Sequence, residues 1–312
     1  MDSIDKQILW ELIQNCRISF RDLGTKLNLS PSSVKKRIDN LEQSGFIDHY
    51  SVVLHPEHIN VRYATLMVYT NAAVKIDAFS DIAMTFDGVY MILPLIDGSF
   101  YVSIEYSKQS ELAAFSNLLR TIPGVQRTDV YDVLPEGAKS ELPDTPEFSK
   151  DELIVLSQLA IDPRMMDYDV ATKIGWSAKK TKQVLQKLET EQKVVFGARW
   201  NPNLGRDVAF NLIIRYDPEV TSARDITNWL DDKYPVVYVN SRVVESKCTI
   251  FAVFTLERVV DMEPIAMEVL DYAGVQSAYA ITYYNAIVGK TLSRLRLERI
   301  LEEEGLWPPD DD

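Results

Sequence analysis

Histidine is nearly absent from this chain: His49, His55 and His58 are the three in 312 residues, and none occurs in the last 254. That excludes histidine-based acid–base chemistry, and most histidine metal sites, from everything beyond residue 58. Cysteine is as scarce. Cys16 and Cys248 lie far apart and outside any CxxC or Cys/His ligand spacing, which excludes a disulfide framework and a structural zinc site. Two buried, reduced thiols are expected. No run approaches the ~18 uninterrupted apolar residues of a membrane span, and Asp2, Asp5 and Lys6 stand where a signal peptide would be apolar. A cytosolic protein without a membrane partner is expected. Nucleophile–base pairs, metal constellations and phosphate-binding glycine loops are missing as well, so neither catalysis nor a cofactor nor a metal is expected. His55 and His58 have the spacing of a metal clip, but beside Pro56 and outside a helix they read as surface residues at a domain junction. Positive charge is short too: 33 Lys+Arg face 46 Asp+Glu, a net charge of −13.

What is present is a repeat. Shifting Ile8 to Ile47 by 147 positions lays Ile8, Leu9 and Leu12 on Val155, Leu156 and Leu159, Arg17 on Arg164, and Asp22 on Asp169. The same shift lays Thr25-Lys26 on Thr172-Lys173, Ser30 on Ser177 and Leu41-Glu42 on Leu188-Glu189. Further on, PGVQ from Pro123 answers AGVQ from Ala273. The chain reads as two copies of a unit of about 150 residues, an ordinary domain-pair length.

Each copy opens with three apolar stripes of helical period, which in the first are Ile4, Ile8 and Leu12, then Leu23 and Leu27, then Val34, Ile38 and Leu41. Ser30-Pro31 is a cap followed by a proline at the first helical position, and Ser177 caps the matching helix. HYSVVL and KVVFGARW follow as wings. The remainder of each copy alternates as β-α-β-β-α-β, a ferredoxin-like sheet with helices on one face, whose other face requires cover by a partner sheet. The fold class is therefore α+β: two copies of a winged helix-turn-helix followed by a ferredoxin-like domain. The boundaries expected are 1–60 and 61–134 for the first copy, a linker over 135–149, 150–200 and 201–288 for the second, and a terminal helix and tail over 289–312.

The third helix of each copy carries the chemistry. With Val34, Ile38 and Leu41 inward, Ser32, Ser33, Lys36 and Asn40 face out, flanked by Lys35 and Arg37. In the second copy Lys179, Lys180, Gln183 and Lys187 face out, flanked by Lys182. A lone basic helix face is most often a solvated surface. Here the same face is basic twice, on the third helix of a capped three-helix module. Location also resolves the charge conflict. Residues 1–60 hold seven Lys+Arg against eight Asp+Glu, and residues 149–200 hold nine against seven, so these modules sum to +1 and the rest carries −14. Exposed charges beyond a Debye length of ~8 Å are largely screened. Double-stranded DNA is the partner expected, with Ser32, Ser33 and Asn40 reading bases in the major groove and the cations holding phosphates.

MDSIDKQILWELIQNCRISFRDLGTKLNLSPSSVKKRIDNLEQSGFI closely resembles the amino-terminal module of the Lrp/AsnC family of transcription regulators, with MDxID, RISFRDL, LSPSSVKKRI and L..SG.I in the family's order. The strong match covers about the first 60 residues, and IPGVQRTDVYDVL resembles the family's final strand. The resemblance implies DNA binding, dimerisation through the sheet domains and, in many members, an amino-acid effector. It implies a homodimer, or a pseudo-dimer made within one chain, with half-sites ~34 Å apart or a multiple of that. Family members carry a Gly-x-x-Asp turn before the third strand; here DGSFYV keeps Gly98 and places Tyr101 where the acid stands, and the second copy has ESKCTIF.

Two other functions fit the same architecture. One is a sirohaem decarboxylase-like enzyme, which would rest on sheet-domain histidine and arginine; the histidine is missing, and Arg62, Arg120, Arg127, Arg206, Arg215, Arg224 and Arg242 share no motif. The other is a protein-binding co-regulator, for which the terminal helix offers Leu292, Leu295, Ile300 and Leu301, a stripe that equally suits core packing. Tyr279, Tyr283 and Tyr284 could line an effector cleft, although alternation in a strand makes them core or sheet-pairing residues.

Overall fold

Every helix of the first module starts on a side chain that accepts a backbone N–H: Asp2 from Asp5, Ser19 from Asp22 and Ser30 from Ser33. The computed structural model describes residues 2–71, 74–133, 142–201 and 208–307. The first copy comprises α1 (Ser3–Gln14), α2 (Phe20–Leu27), α3 (Pro31–Gln43), β1 (Ile47–Leu54), β2 (Arg62–Thr70), α4 (Ile76–Ala83), β3 (Val89–Pro94), β4 (Phe100–Tyr106), α5 (Gln109–Arg120) and β5 (Val125–Val133). The second comprises α6 (Lys150–Ile161), α7 (Asp167–Lys173), α8 (Ala178–Thr190), β6 (Val194–Trp200), β7 (Val208–Tyr216), α9 (Ala223–Lys233), β8 (Tyr238–Val244), β9 (Thr249–Leu256), α10 (Met262–Leu270) and β10 (Val275–Thr282). A short β11 (Ile287–Val288) and α11 (Leu292–Glu303) follow. The chain folds into two compact units, one holding both helical modules with α11, the other both sheets. Among the described residues no helix is long and apolar enough to cross a membrane.

In the helical unit the apolar stripes are buried as their periods require. Val34, Ile38 and Leu41 of α3 are covered, and so are their repeat equivalents Thr181, Leu185 and Leu188 of α8. Helices of 13 residues are marginal in isolation, and burying an aliphatic side chain stabilises by about 1.5–3 kcal/mol, so packing rather than propensity holds them. Cys16 is buried here, and burial pushes its thiol up to about 12. The two wing strands pair with each other, β1 antiparallel to β6. Tyr50 faces Ala198 and Ser51 faces Gly197. Since the repeat equates Tyr50 with Gly197 and Ser51 with Ala198, each of these pairs is the image of the other. That is the register of a local two-fold axis passing between them.

In the sheet unit, β5-β2-β4-β3 and β10-β7-β9-β8 run in the same order, each antiparallel. One face of each packs on its own two helices through Phe79, Phe100 and Phe115 in the first copy and Phe210, Phe254 and Ile226 in the second. The opposite faces share one core: Met67, Leu93, Tyr101 and Tyr131 of the first sheet meet Ile213, Val244 and Phe251 of the second. Partner-sheet cover is thus supplied within the chain. Tyr101, at the place of the family's acid, is buried in this core with its hydroxyl bonded to Thr65. Arg242 lies over the Tyr63 and Tyr90 rings.

Sequence reading missed β11, which extends the first sheet beside β3 although it follows the second copy. Two residues carry no periodicity to detect. The nearby Gly289 is the available signal, because a Cβ there would lie 2.3 Å from the Val89 carbonyl oxygen. Tyr283 packs in the inter-sheet core, while Tyr279 and Tyr284 are exposed. Of the expected linker, residues 135–141 lie outside the described residues; residues 142–149 are tied to the helical unit, where the Pro143 carbonyl accepts from Asn60 N–H. The tail beyond Trp307 also lies outside them.

Candidate nucleic-acid interface

The cap that starts α3 also organises its exposed hydroxyls. Ser30 Oγ is 3.0 Å from Ser32 Oγ and 2.8 Å from Ser33 Oγ, so three serines share one hydrogen-bonded cluster at the helix start. Pro31 carries no N–H and Ser30 takes the Ser33 and Val34 N–H groups, so the cap itself satisfies most of the donors at this end of the helix. Ser32, Ser33, Lys35, Lys36 and Asn40 are exposed along this face. Lys35 pairs with Asp39 at 3.1 Å. Such exposed i,i+4 pairs are worth only ~0.3–0.5 kcal/mol, so Asp39 holds Lys35 weakly. Lys36 makes no ion pair among the described residues.

Arg37 is placed otherwise. It is half-buried and turns to α1, with Nη1 at 2.7 Å from Asp2 and 2.6 Å from Asp5. Burial pushes the Asp2 carboxyl up, but the Asp5 N–H and the Arg37 guanidinium outweigh it and hold it below the usual carboxylate range. Arg37 thus fastens α3 to α1. The two acids of MDxID were the available sequence signal: three apart at a helix start, they share one face.

On α8 the exposed positions are Lys179, Lys180, Lys182, Gln183 and Lys187. Lys180 lies 3.5 Å from the Trp176 ring centroid and 2.9 Å from Asp151. Lys187 reaches Glu152 at 3.1 Å. Glu152, only 1% exposed, also takes Lys193 at 3.2 Å and the Ser149 N–H at 2.7 Å. Burial raises this carboxyl, but the Ser149 N–H, Lys187 and Lys193 more than offset it and lower its pKa. Lys187 is therefore partly spent inside the module, whereas Lys179 and Lys182 form no ion pair among the described residues.

Two arginines 147 positions apart lock the modules. Arg17 donates to the Pro163 and Met165 carbonyls and pairs with Asp167 at 2.8 Å, while lying over Phe196. Arg164 lies over Phe20 and Tyr50 and donates to the Tyr50 hydroxyl. Each reaches into the other module, as the two-fold register demands. The repeated arginine was visible in the sequence, but its reach was not. His55 accepts from the Glu57 N–H and its ring meets His58 edge-on. Among the described residues no cluster of three or more His, Cys, Asp or Glu is arranged to hold a metal.

Residues 1–48 match the family model described as winged helix-turn-helix DNA-binding. The leucine-responsive regulatory protein of Haemophilus influenzae is 31% identical over 142 residues, which span 44% of this chain and 85% of that protein. Its namesake from Escherichia coli K12 is 30% identical over 149 residues, 45% of this chain and 88% of the relative. Among solved structures, the siroheme decarboxylase NirDL superposes with a TM-score of 0.55 at 13% identity, covering 97% of this chain and 100% of the other. At that identity the likeness is one of fold.

Proposed function

The chain belongs to the Lrp/AsnC family of transcriptional regulators, and from that premise we propose that it holds double-stranded DNA with α3 and α8 as paired recognition helices. The observation that carries the pairing is the β1–β6 register, which relates the two modules by a local two-fold axis. Two-fold DNA sites are matched by two-fold proteins, and here one chain supplies both halves. Ser32, Ser33 and Asn40 suit base edges, being short or planar groups that both donate and accept. Lys35, Lys36, Lys179, Lys180 and Lys182 suit phosphates. The second module has lysines where the first has serines, so it grips backbone more than it reads sequence. Lys187 is the weakest contributor because it is shared with a buried carboxylate, and Arg37 acts by orienting α3.

A gel-shift titration with duplexes selected from a randomised pool by the full chain tests this. If each of five lysines neutralises one phosphate, log K falls with log salt at a slope of about −4 to −5. Absent binding, or binding indifferent to salt, would falsify the reading. The fold shared with a decarboxylase sets a counter-test: incubation with siroheme should leave the tetrapyrrole's absorbance unchanged.

A further inference from the structure

Helix α11 stands outside the two-fold repeat yet packs into the helical unit, burying Leu297 and Leu301 completely. Its buried face also carries Arg296 and Glu298, which a hydrophobic-stripe reading overlooks. Arg294 connects both modules with one guanidinium. Nη1 donates to the Val52 carbonyl of β1 at 3.0 Å, and Nη2 donates to the Ala160 carbonyl of α6 at 2.9 Å. Glu298 takes Nε at 2.8 Å and fixes the fork, and Trp307 lies beneath it. Arg296 donates to the Asn60 and Asp144 carbonyls.

The acceptors explain why an arginine is needed. Ala160 is in the last turn of α6, where four carbonyls lack helical partners, and β1 is paired on one side only, by β6. A planar fork of fixed geometry satisfies both at once, and a lysine ammonium on a flexible stem does not reproduce it. The β1–β6 ribbon twists widely, as two-stranded ribbons do, and is backed by the Arg17 and Arg164 contacts between the modules. A third connection closes the frame. β1 follows directly on α3, and α6 packs against α8, so Arg294 acts on the supports of both recognition helices.

We propose that α11 is a spacing gauge: Arg294 is a positioning residue that fixes the separation of α3 and α8 and so selects the distance between DNA half-sites. This rests on the DNA-binding reading above. The test compares two duplexes for the full chain, the one selected from a randomised pool and a derivative with its half-sites moved by about half a helical turn, ~5 base pairs. Wild type should lose about 100-fold in affinity on the derivative, as expected when one of two linked contacts is lost. Arg294→Met should bind the selected duplex more weakly and show no more than about a threefold difference between the two, with Arg294→Lys close to it. Should Arg294→Met fail to fold by circular dichroism, Glu298→Gln, which frees the fork, takes its place with the same expectation. A folded variant that keeps the wild-type ratio overturns the gauge and leaves the DNA reading intact. A wild type that binds both duplexes equally also overturns it, whereas a wild type that binds no duplex removes the DNA reading itself.

Discussion

Lys36 and Arg37 are adjacent cations of the same helix, yet the structure gives them different work. Lys36 is exposed and makes no ion pair among the described residues; Arg37 is clasped by Asp2 and Asp5. Replacing Lys36 with alanine should therefore weaken DNA binding nearly uniformly across sequences and lower the salt slope by about one. Arg37→Ala should instead cost about 0.5–1 kcal/mol of stability, a small figure because the pairs are partly exposed, and should leave the slope nearly unchanged. Paired salt-titration and denaturation curves separate the two. Composition and helical phase place both residues on the outer half of α3, but only the fold brings the start of α1 within reach of one of them.

Elements meet at two points where a single substitution is informative. Gly197 lies in β6 against α1, and a Cβ there would stand 2.9 Å from the Ile13 carbonyl oxygen. Backbone cannot step aside as a flexible side chain can, so Gly197→Val should destabilise by ~1–3 kcal/mol, read as a lower melting temperature. At the start of α6, the Glu152 pKa is lowered in the folded state. Its stabilisation is thus present above the ordinary glutamate value of ~4.3 and is lost as pH falls through the lower folded value. Glu152→Gln should remove that acid-side loss and cost ~1–3 kcal/mol at neutral pH, because Lys193 loses a buried charge partner. An unfolding series from pH 7 to about pH 3 checks both statements, and an unchanged acid limb in the variant would contradict the assignment.

At the scale of the whole molecule the chain supplies from its second copy what the sheet and helical modules of the first require. Phe251 shows this in the sheet unit: it meets Tyr101 and Tyr131 edge-on and is 1% exposed. Phe251→Ala should cost ~3–5 kcal/mol by opening a cavity in the shared core. The inward residues Phe210 and Phe254 on the same strand pair would be spared, so the helix-covered layers should retain their secondary structure by far-ultraviolet circular dichroism while the melting temperature drops. The net charge of −13 coexists with DNA binding because the acidity belongs to the rest of the chain rather than to the two modules.

The sequence by itself determined the three helices of each module, the Ser30 and Ser177 caps, the inward stripes, the β-α-β-β-α-β order and the exposed cations of α3 and α8. Those features repeat at local spacings of two or about four residues, and a linear pattern records them. Tertiary structure alone decided that β1 pairs with β6, that β11 joins the first sheet, that Arg37 serves α1 and Lys187 serves Glu152, and that Arg294 spans both modules. These are pairings between groups remote in sequence or turned by packing, and no local period encodes which distant carbonyl or carboxylate a long cationic side chain will meet.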